Sequence, residues 1–215
     1  MKLLLDRIKN KIRRQSYNLF LSRFGFGNRV SRSIWEQQFA DGTWNYLYGK
    51  DEEAHYQYIV ECVQDKNGSI LDVGCGQGVL YSYLKSMQQG TNYLGIDISG
   101  KAIALAKKTF PEATFSQLDF DYSSLEGQFD IIIFNESLYY FNQPLKIIDK
   151  CIRHHLKTNG QFIISMCDFK GHDVIWQKLK CKYAFSSLKE IANKKGQLWK
   201  VGVMDPFVHQ TIKSL

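Results

Sequence analysis

Four residues, Ile70-Leu71-Asp72-Val73, pass directly into Gly74-Cys75-Gly76-Gln77-Gly78 and then into Val79-Leu80. A buried strand entering a Gly-x-Gly-x-Gly loop ahead of a helix lets the backbone turn sharply. It also lets the backbone approach a ligand where a Cβ would clash. The helix start adds free N–H groups. Such a loop alone does not name its ligand, and the acids around it narrow the choice. Asp72 lies inside the strand itself. Asp97 ends the next apolar run, 19 residues past Gly78, where a carboxylate can accept both ribose hydroxyls of a nucleoside. Asp119 follows a third run and precedes Phe120. A fourth run leads into Asn135-Glu136-Ser137-Leu138-Tyr139-Tyr140, and His172 comes after a fifth. Glu136, Tyr139, Tyr140 and His172 are the residues here able to move a proton.

These groups need a frame that brings them together. Ile70–Val73, Tyr93–Ile98, Ala113–Leu118, Ile131–Phe134 and Phe162–Met166 read as strands, with helical patterns over 79–88, 99–108 and 144–157 between most of them. Runs apolar on both faces, such as Ile131-Ile132-Ile133-Phe134, suit central parallel strands. The alternation predicts βαβ units, a parallel sheet and helices on both of its faces. In such a sheet the ligand sits beyond the carboxyl ends of the strands, so Asp97, Asp119, Asn135, Glu136 and Asp168 converge on one rim. The tail differs. Lys182–Ala192 and Gln197–Met204 read as two strands joined by Asn193-Lys194-Lys195-Gly196, an antiparallel hairpin. Before the first strand come a helix over 51–63 and an aromatic-rich stretch from Trp35 to Tyr48. Residues 3–20 read as an amphipathic helix with basic residues between its apolar ones.

Composition sets the bounds. The chain has 215 residues, 44% hydrophobic and 14% aromatic, with only 3 Pro, which excludes a disordered or collagen-like protein. No apolar run is long enough for a membrane span, and no secretory signal pattern is found. Five scattered cysteines without a Cys-x-x-Cys pair point to free thiols in the cytoplasm. No His and carboxylate grouping has metal-ligand spacing, so a metal-independent reaction is expected. The net charge of +7 is uneven. Residues 1–34 hold nine Lys/Arg and one acid, while the remaining 181 hold nineteen basic and twenty acidic side chains. The basic character therefore belongs to an arm, residues 1–34, and not to the domain behind it, residues 35–215.

From about Trp35 to Met204 the chain resembles the class I S-adenosylmethionine-dependent methyltransferases. Four motifs carry the resemblance, in family order and spacing: Asp72-Val73-Gly74-Cys75-Gly76-Gln77-Gly78, Asp97, Asp119-Phe120, and Asn135 to Tyr140. It implies an α/β, doubly wound, mostly parallel seven-stranded sheet ending in an antiparallel hairpin. It also implies that Gly74, Gly76 and Gly78 line the methionine half of S-adenosylmethionine, with Asp72 and Cys75 counted among the cofactor contacts. Asp97 would bind the ribose, with Ile98 against the adenine, and Asp119 with Phe120 would meet the adenine edge; Asp121 competes with Asp119 for that role. Asn135 to Tyr140 would face the transferable methyl, Asn135 being counted among the cofactor contacts. Acids suit ribose, amino and sulfonium groups and repel the phosphates of a nicotinamide cofactor.

On the acceptor side the candidates are Tyr139, Tyr140, Glu136 and His172. Many relatives have a histidine where this chain has Tyr140, so Tyr140 reads equally as base and as substrate wall. His154 and His155 read as surface and packing residues, and His55 as structural. Trp35, Trp44, Tyr46 and Tyr48 read either as core or as a lid over the cofactor. The pattern Trp35-Glu36-Gln37-Gln38-Phe39-Ala40-x-Gly42-x-Trp44-x-Tyr46-Leu47, joined to Asn135-Glu136-Ser137-Leu138-Tyr139-Tyr140-Phe141, is similar to small bacterial methyltransferases of surface-polysaccharide and related pathways, which implies methyl transfer to a small-molecule or saccharide hydroxyl or amine. An RNA or protein methyltransferase and a non-catalytic cofactor-binding protein are the alternatives; nucleic acid is disfavoured because no basic patch lies on the domain itself. The arm has three readings: a helix packed on its own domain or a partner chain, an anchor on an anionic inner membrane face, or a nucleic-acid arm.

Overall fold

A computed structural model describes residues 2–63, 68–88 and 92–207. The outer ends of the two expected segments, residue 1 and residues 208–215, lie outside these. The elements in chain order are α1 (Lys2–Leu19), α2 (Arg32–Ala40), α3 (Glu53–Val63), β1 (Ile70–Val73), α4 (Val79–Ser86), β2 (Tyr93–Asp97), α5 (Gly100–Thr109) and β3 (Thr114–Gln117). They continue with β4 (Phe129–Asn135), α6 (Pro144–His154), β5 (Leu156–Cys167), α7 (His172–Lys182), β6 (Ala184–Ala192) and β7 (Leu198–Asp205). The strands form one seven-stranded sheet in the order β3-β2-β1-β4-β5-β7-β6. β1 to β5 run parallel, and β7 is antiparallel to both β5 and β6. Among the described residues no helix is long and apolar enough to cross a membrane.

The sheet is buried on both sides because successive strand residues feed opposite cores. Ile132, Phe134, Phe162 and Ile164 pack with Ile147 and Ile148 of α6 and Ile175, Trp176 and Leu179 of α7. Ile131, Ile133 and Ile163 pack with Ile59 and Val60 of α3, Leu80 and Leu84 of α4, and Ile103 of α5. Strand order reverses between β1 and β4, and ligands of open parallel sheets sit beyond the carboxyl ends at that switch point. β7 enters from the opposite direction, so Trp199, paired with Cys167, stands on the same rim.

Three readings of the sequence need correction. Lys182 belongs to α7, and β6 starts only at Ala184. Ile175, Trp176 and Leu179 carry a helical spacing over 172–182 that the charged residues between them obscure. The helix after β4 stops at His154, and β5 begins at Leu156. A register shift after the Phe129–Leu156 pair loops out residues 157–160, so the strand reaches further back than its apolar half. Arg32–Ala40 forms the helix α2, which runs across the expected arm–domain boundary at 34/35 and into the aromatic stretch.

The arm packs along the domain. Arg13 donates to Asn142 Oδ1 (2.7 Å), Tyr17 Oη to the Lys170 carbonyl (3.0 Å), and the Asn28 N–H to the Tyr139 carbonyl (2.8 Å). The Gly27 N–H donates to the Asn142 carbonyl (3.2 Å). At Gly27 the two backbones approach so closely that a Cβ would lie 1.9 Å from the Phe141 carbonyl oxygen. Gly27→Ala should therefore push this seam apart and cost roughly 2 kcal/mol or more. Thermal unfolding should show a lowered Tm and amide exchange should quicken over 27–31 and 139–142; an unchanged Tm would contradict the packing.

Candidate active site

The site is organised around Asp97, the last residue of β2. Its Oδ2 accepts from the Gly76 N–H (3.0 Å) and its Oδ1 from the Ser99 N–H (2.8 Å). One carboxylate thus holds the glycine loop against the start of α5. Gly74 and Gly76 have φ of +82° and +55°, in the left-handed region that side chains avoid. A Cβ on Gly74 would also lie 2.5 Å from the Ser137 Cβ, and one on Gly76 would meet the Phe39 ring at 3.5 Å. Gly78 departs from expectation. It precedes α4, does not line the cavity, and leaves its space to the rings of Phe110 and Phe115.

Beyond the rim lies a cavity of about 260 Å³, a size for a small ligand. Asp72, Gly74, Cys75, Gly76, Asp97, Ile98, Asp119 and Phe120 line one part; Asn135, Glu136, Tyr139 and Tyr140 line the adjoining part. Asp119 faces the cavity, whereas Asp121 does not. Arg29 binds Asp119 (2.5 Å) and Asp121 together, and Asp121 also accepts from Asn142.

The electrostatics of this space are lopsided. Five carboxyls line it (Glu52, Asp72, Asp97, Asp119, Glu136), against one guanidinium, Arg29, which is already paired. Burial pushes the Asp72 carboxyl up to about 7 despite the hydrogen bond from Tyr93 Oη (2.7 Å). Burial raises Asp97 to about 6 and Glu136 to about 7. Among the described residues, three buried acceptor atoms on the lining have no hydrogen-bond partner: Asp72 Oδ1, Asp119 Oδ1 and Asn135 Oδ1. Unpaired buried acceptors are costly. A ligand rich in N–H and O–H donors complements such a lining better than a phosphate does.

Glu136 follows β4 with φ of +52°, a strained position for a residue with a Cβ. Its carboxyl accepts from the Cys167 N–H (3.1 Å), Tyr139 Oη (3.0 Å) and Ser165 Oγ (3.2 Å). Burial raises the phenols of Tyr139 and Tyr140, which makes both poor bases. Tyr140 meets the Trp35 ring edge-on at 4.9 Å and forms a wall. His172 does not reach the cavity. Its Nδ1 lies 2.7 Å from the Cys167 carbonyl and its ring stacks at 4.0 Å behind Tyr139. His55 is buried against Trp199 at 4.6 Å, its pKa lowered by burial to about 3, and it too lies off the lining. Cys75 lines the loop with its thiol pushed well up by burial, so it is no nucleophile.

Trp35, Trp44 and Tyr46 cover the cavity, while Tyr48 instead ties the cover down by donating to the Gln77 carbonyl (3.1 Å). Gln77 in turn donates to the Trp44 carbonyl (3.1 Å). The firmest fastening is Glu36 of α2. It accepts from Ser99 Oγ (3.1 Å) and from the Gly100 and Lys101 N–H groups (2.9 and 2.8 Å), capping α5 from another helix. Burial works to raise its pKa, but the Lys101 and Gly100 donors outweigh it and the carboxyl is lowered.

Sequence reading missed Arg29, Glu36, Glu52 and Trp199. Arg29 looked like one more basic residue of the arm. Glu36 lies in the Trp35–Leu47 pattern, but nothing there announces its bonds to α5; Glu52 stands outside any motif, and Trp199 reaches the rim only because β7 is antiparallel.

Glu36→Ala should free the first turn of α5 and loosen α2, at about 1–2 kcal/mol. Hydrogen exchange should quicken over both segments while the β4 core stays protected; unaltered exchange in α2 would show that Glu36 is not the fastening.

A family model described as a methyltransferase domain matches residues 64–205. A ubiquinone biosynthesis O-methyltransferase from Dechloromonas aromatica is 29% identical over 138 residues, covering 61% of this chain and 58% of that protein. A malonyl-(acyl-carrier protein) O-methyltransferase from Acetivibrio thermocellus is 27% identical over 142 residues, covering 63% and 50%. The chain spans about half the length of the curated relatives it matches. Among solved structures, the N-methyltransferase NodS from Bradyrhizobium japonicum, crystallised with S-adenosyl-L-homocysteine, shares the fold. Its TM-score is 0.68 at 16% identity, covering 80% of this chain and 96% of that one. With its strand order, its glycine loop and Asp97 in place, and with all seven strands inside the matched span, this chain belongs to the methyltransferase-domain family.

Proposed function

We propose that the chain transfers a methyl group from S-adenosylmethionine to a hydroxyl or amine of a small acceptor. One observation carries the reading: five carboxyls and three unpartnered acceptor atoms line a cavity whose one cation is already paired. S-adenosylmethionine offers the matching donors in its ammonium, its ribose hydroxyls and its adenine amine. Asp97 would hold the ribose, Asp119 with Ile98 and Phe120 the adenine, and Asp72 with Gly74 and Gly76 the methionine end. The Trp44 indole N–H, buried and unpartnered on the same lining, is a donor for the methionine carboxylate. When bound, the cofactor supplies a methyl already activated on a sulfonium. The chain's own residues orient the acceptor, exclude water and take a proton.

Glu136 is the group for that proton, being the lining residue beside the Tyr139–Tyr140 wall that titrates near neutrality. Trp35, Trp44, Tyr46 and Tyr140 all line the cavity, and aromatic rings suit the C–H faces of a sugar, so the finer reading is a saccharide hydroxyl of the surface-polysaccharide class. By their names the relatives serve ubiquinone biosynthesis and a malonyl carrier, which supports a small or carrier-borne acceptor. The free cysteines suit the cytoplasm.

The test is production of S-adenosylhomocysteine with small hydroxyl and amine acceptors, sugars among them, across pH. Turnover should rise through about pH 7 as Glu136 loses its proton. Glu136→Gln should lower it by roughly a hundredfold and flatten that limb. The same ionisation has a stability signature. Because the folded carboxyl titrates at about 7, above its ordinary 4.5, the folded chain keeps a proton that the unfolded chain loses. Stability therefore falls as pH rises through that window, and Glu136→Gln should remove this share of the fall. Full turnover of the glutamine variant with an unchanged profile would contradict the role.

A further inference from the structure

α1 is turned the opposite way from an ordinary surface helix. Its polar residues face the domain. Asp6 accepts from Ser33 Oγ (2.5 Å), Asn10 Oδ1 from the Ser31 N–H (3.3 Å), and Arg13 and Tyr17 bind Asn142 and the Lys170 carbonyl. Tyr17 is buried. The apolar residues face outward: Leu4, Leu5, Ile8, Ile12 and Leu19 are each half or more exposed. At 100° per residue these five fall on one stripe, because residues four and eight apart share a face. Phe20 and Phe24, also half or more exposed, extend it past the helix end. Single exposed aliphatic residues are ordinary, but a continuous stripe marks a surface that something apolar covers.

Charge decides what covers it. Arg7, Lys11 and Arg14 run along one edge of the stripe and Lys9 along the other, all exposed. The arm's one acid, Asp6, is turned inward. A second copy of this chain would bring like-charged edges together. An anionic lipid surface accepts both the aliphatic stripe and its basic borders.

We propose that α1 lies in the plane of an anionic membrane surface, with its aliphatic stripe among the acyl chains and its basic edges at the headgroups. The arm carries this contact to the cavity. Tyr17 is fastened to Lys170, next to Phe169 on the cavity lining. Asn28 binds the backbone of Tyr139, also on the lining. Docking would thus bring the acceptor part of the cavity near the lipid surface, and the acceptor would be amphiphilic; that consequence rests on the methyl-transfer reading, whereas the docking does not.

The experiment is co-sedimentation of the full chain, without cofactor, with vesicles of phosphatidylcholine alone or mixed with phosphatidylglycerol, beside sedimentation velocity of the protein alone. The chain should pellet with the anionic vesicles, less so as salt is raised. Ile8→Gln with Ile12→Gln should weaken binding by at least about tenfold for each isoleucine removed, with an unchanged melting curve because both side chains point away from the domain. Wild-type chain left in the supernatant, or binding by the double variant equal to wild type, would overturn the proposal. So would a wild-type dimer that the variant disperses, which would assign the stripe to self-association.

Discussion

The Asp97 carboxylate ties the glycine loop to the start of α5 at the cofactor rim. It receives the Gly76 N–H from the glycine loop and the Ser99 N–H from the start of α5. Ser99 then donates to Glu36, so the same short path reaches the covering helix α2. Two acids and a serine thus link loop, rim and cover, beside the Gln77 and Tyr48 bonds that join loop and cover directly. The cost is a carboxyl buried almost completely and pushed up to about 6. A protein keeps such a group where a ligand returns the lost hydration, which is the usual reason for shifted titrations to gather at functional sites.

Charge is divided between the two ends of the molecule. The cavity gathers acids and exposes unmatched acceptors, while the arm gathers cations. Arg29 is where the two meet. It leaves the arm, enters the lining and holds Asp119 and Asp121 at once, with its guanidinium over the Tyr122 ring at 4.9 Å. Two carboxylates that would repel each other are thereby held side by side, and Asp119 keeps one oxygen free toward the cavity.

Much of the parallel half of the fold was legible because each strand there is a short apolar run and each rim acid follows one. Ile131 to Phe134 is apolar on both faces, and Asp97 ends its run; periodicity alone locates both. The covering segment was less legible. α2 is weakly amphipathic, and Trp35 and Phe39 face a cavity, so its pattern resembles neither a core helix nor a loop. Glu36 caps a helix 63 residues and more away in sequence, a contact that no local spacing announces. His172 shows the opposite error: its position after β5 suggested the rim, but its ring turns behind Tyr139. For α1 the amphipathic pattern was plain, yet only the contacts of Asp6, Asn10, Arg13 and Tyr17 reveal which face turns outward.

The most direct test of the account is calorimetric titration of S-adenosylmethionine, S-adenosylhomocysteine and NAD into the wild type and Asp97→Asn. Both sulfur compounds should bind the wild type, more weakly as pH falls through about 6 and Asp97 takes up its proton. Asp97→Asn should bind at least about tenfold more weakly, since a carboxylate accepting two hydroxyls is worth more than an amide that also donates. NAD should not bind, because its phosphates meet an acidic lining. Tight NAD binding, or no binding of either sulfur compound to the folded wild type, would contradict the account.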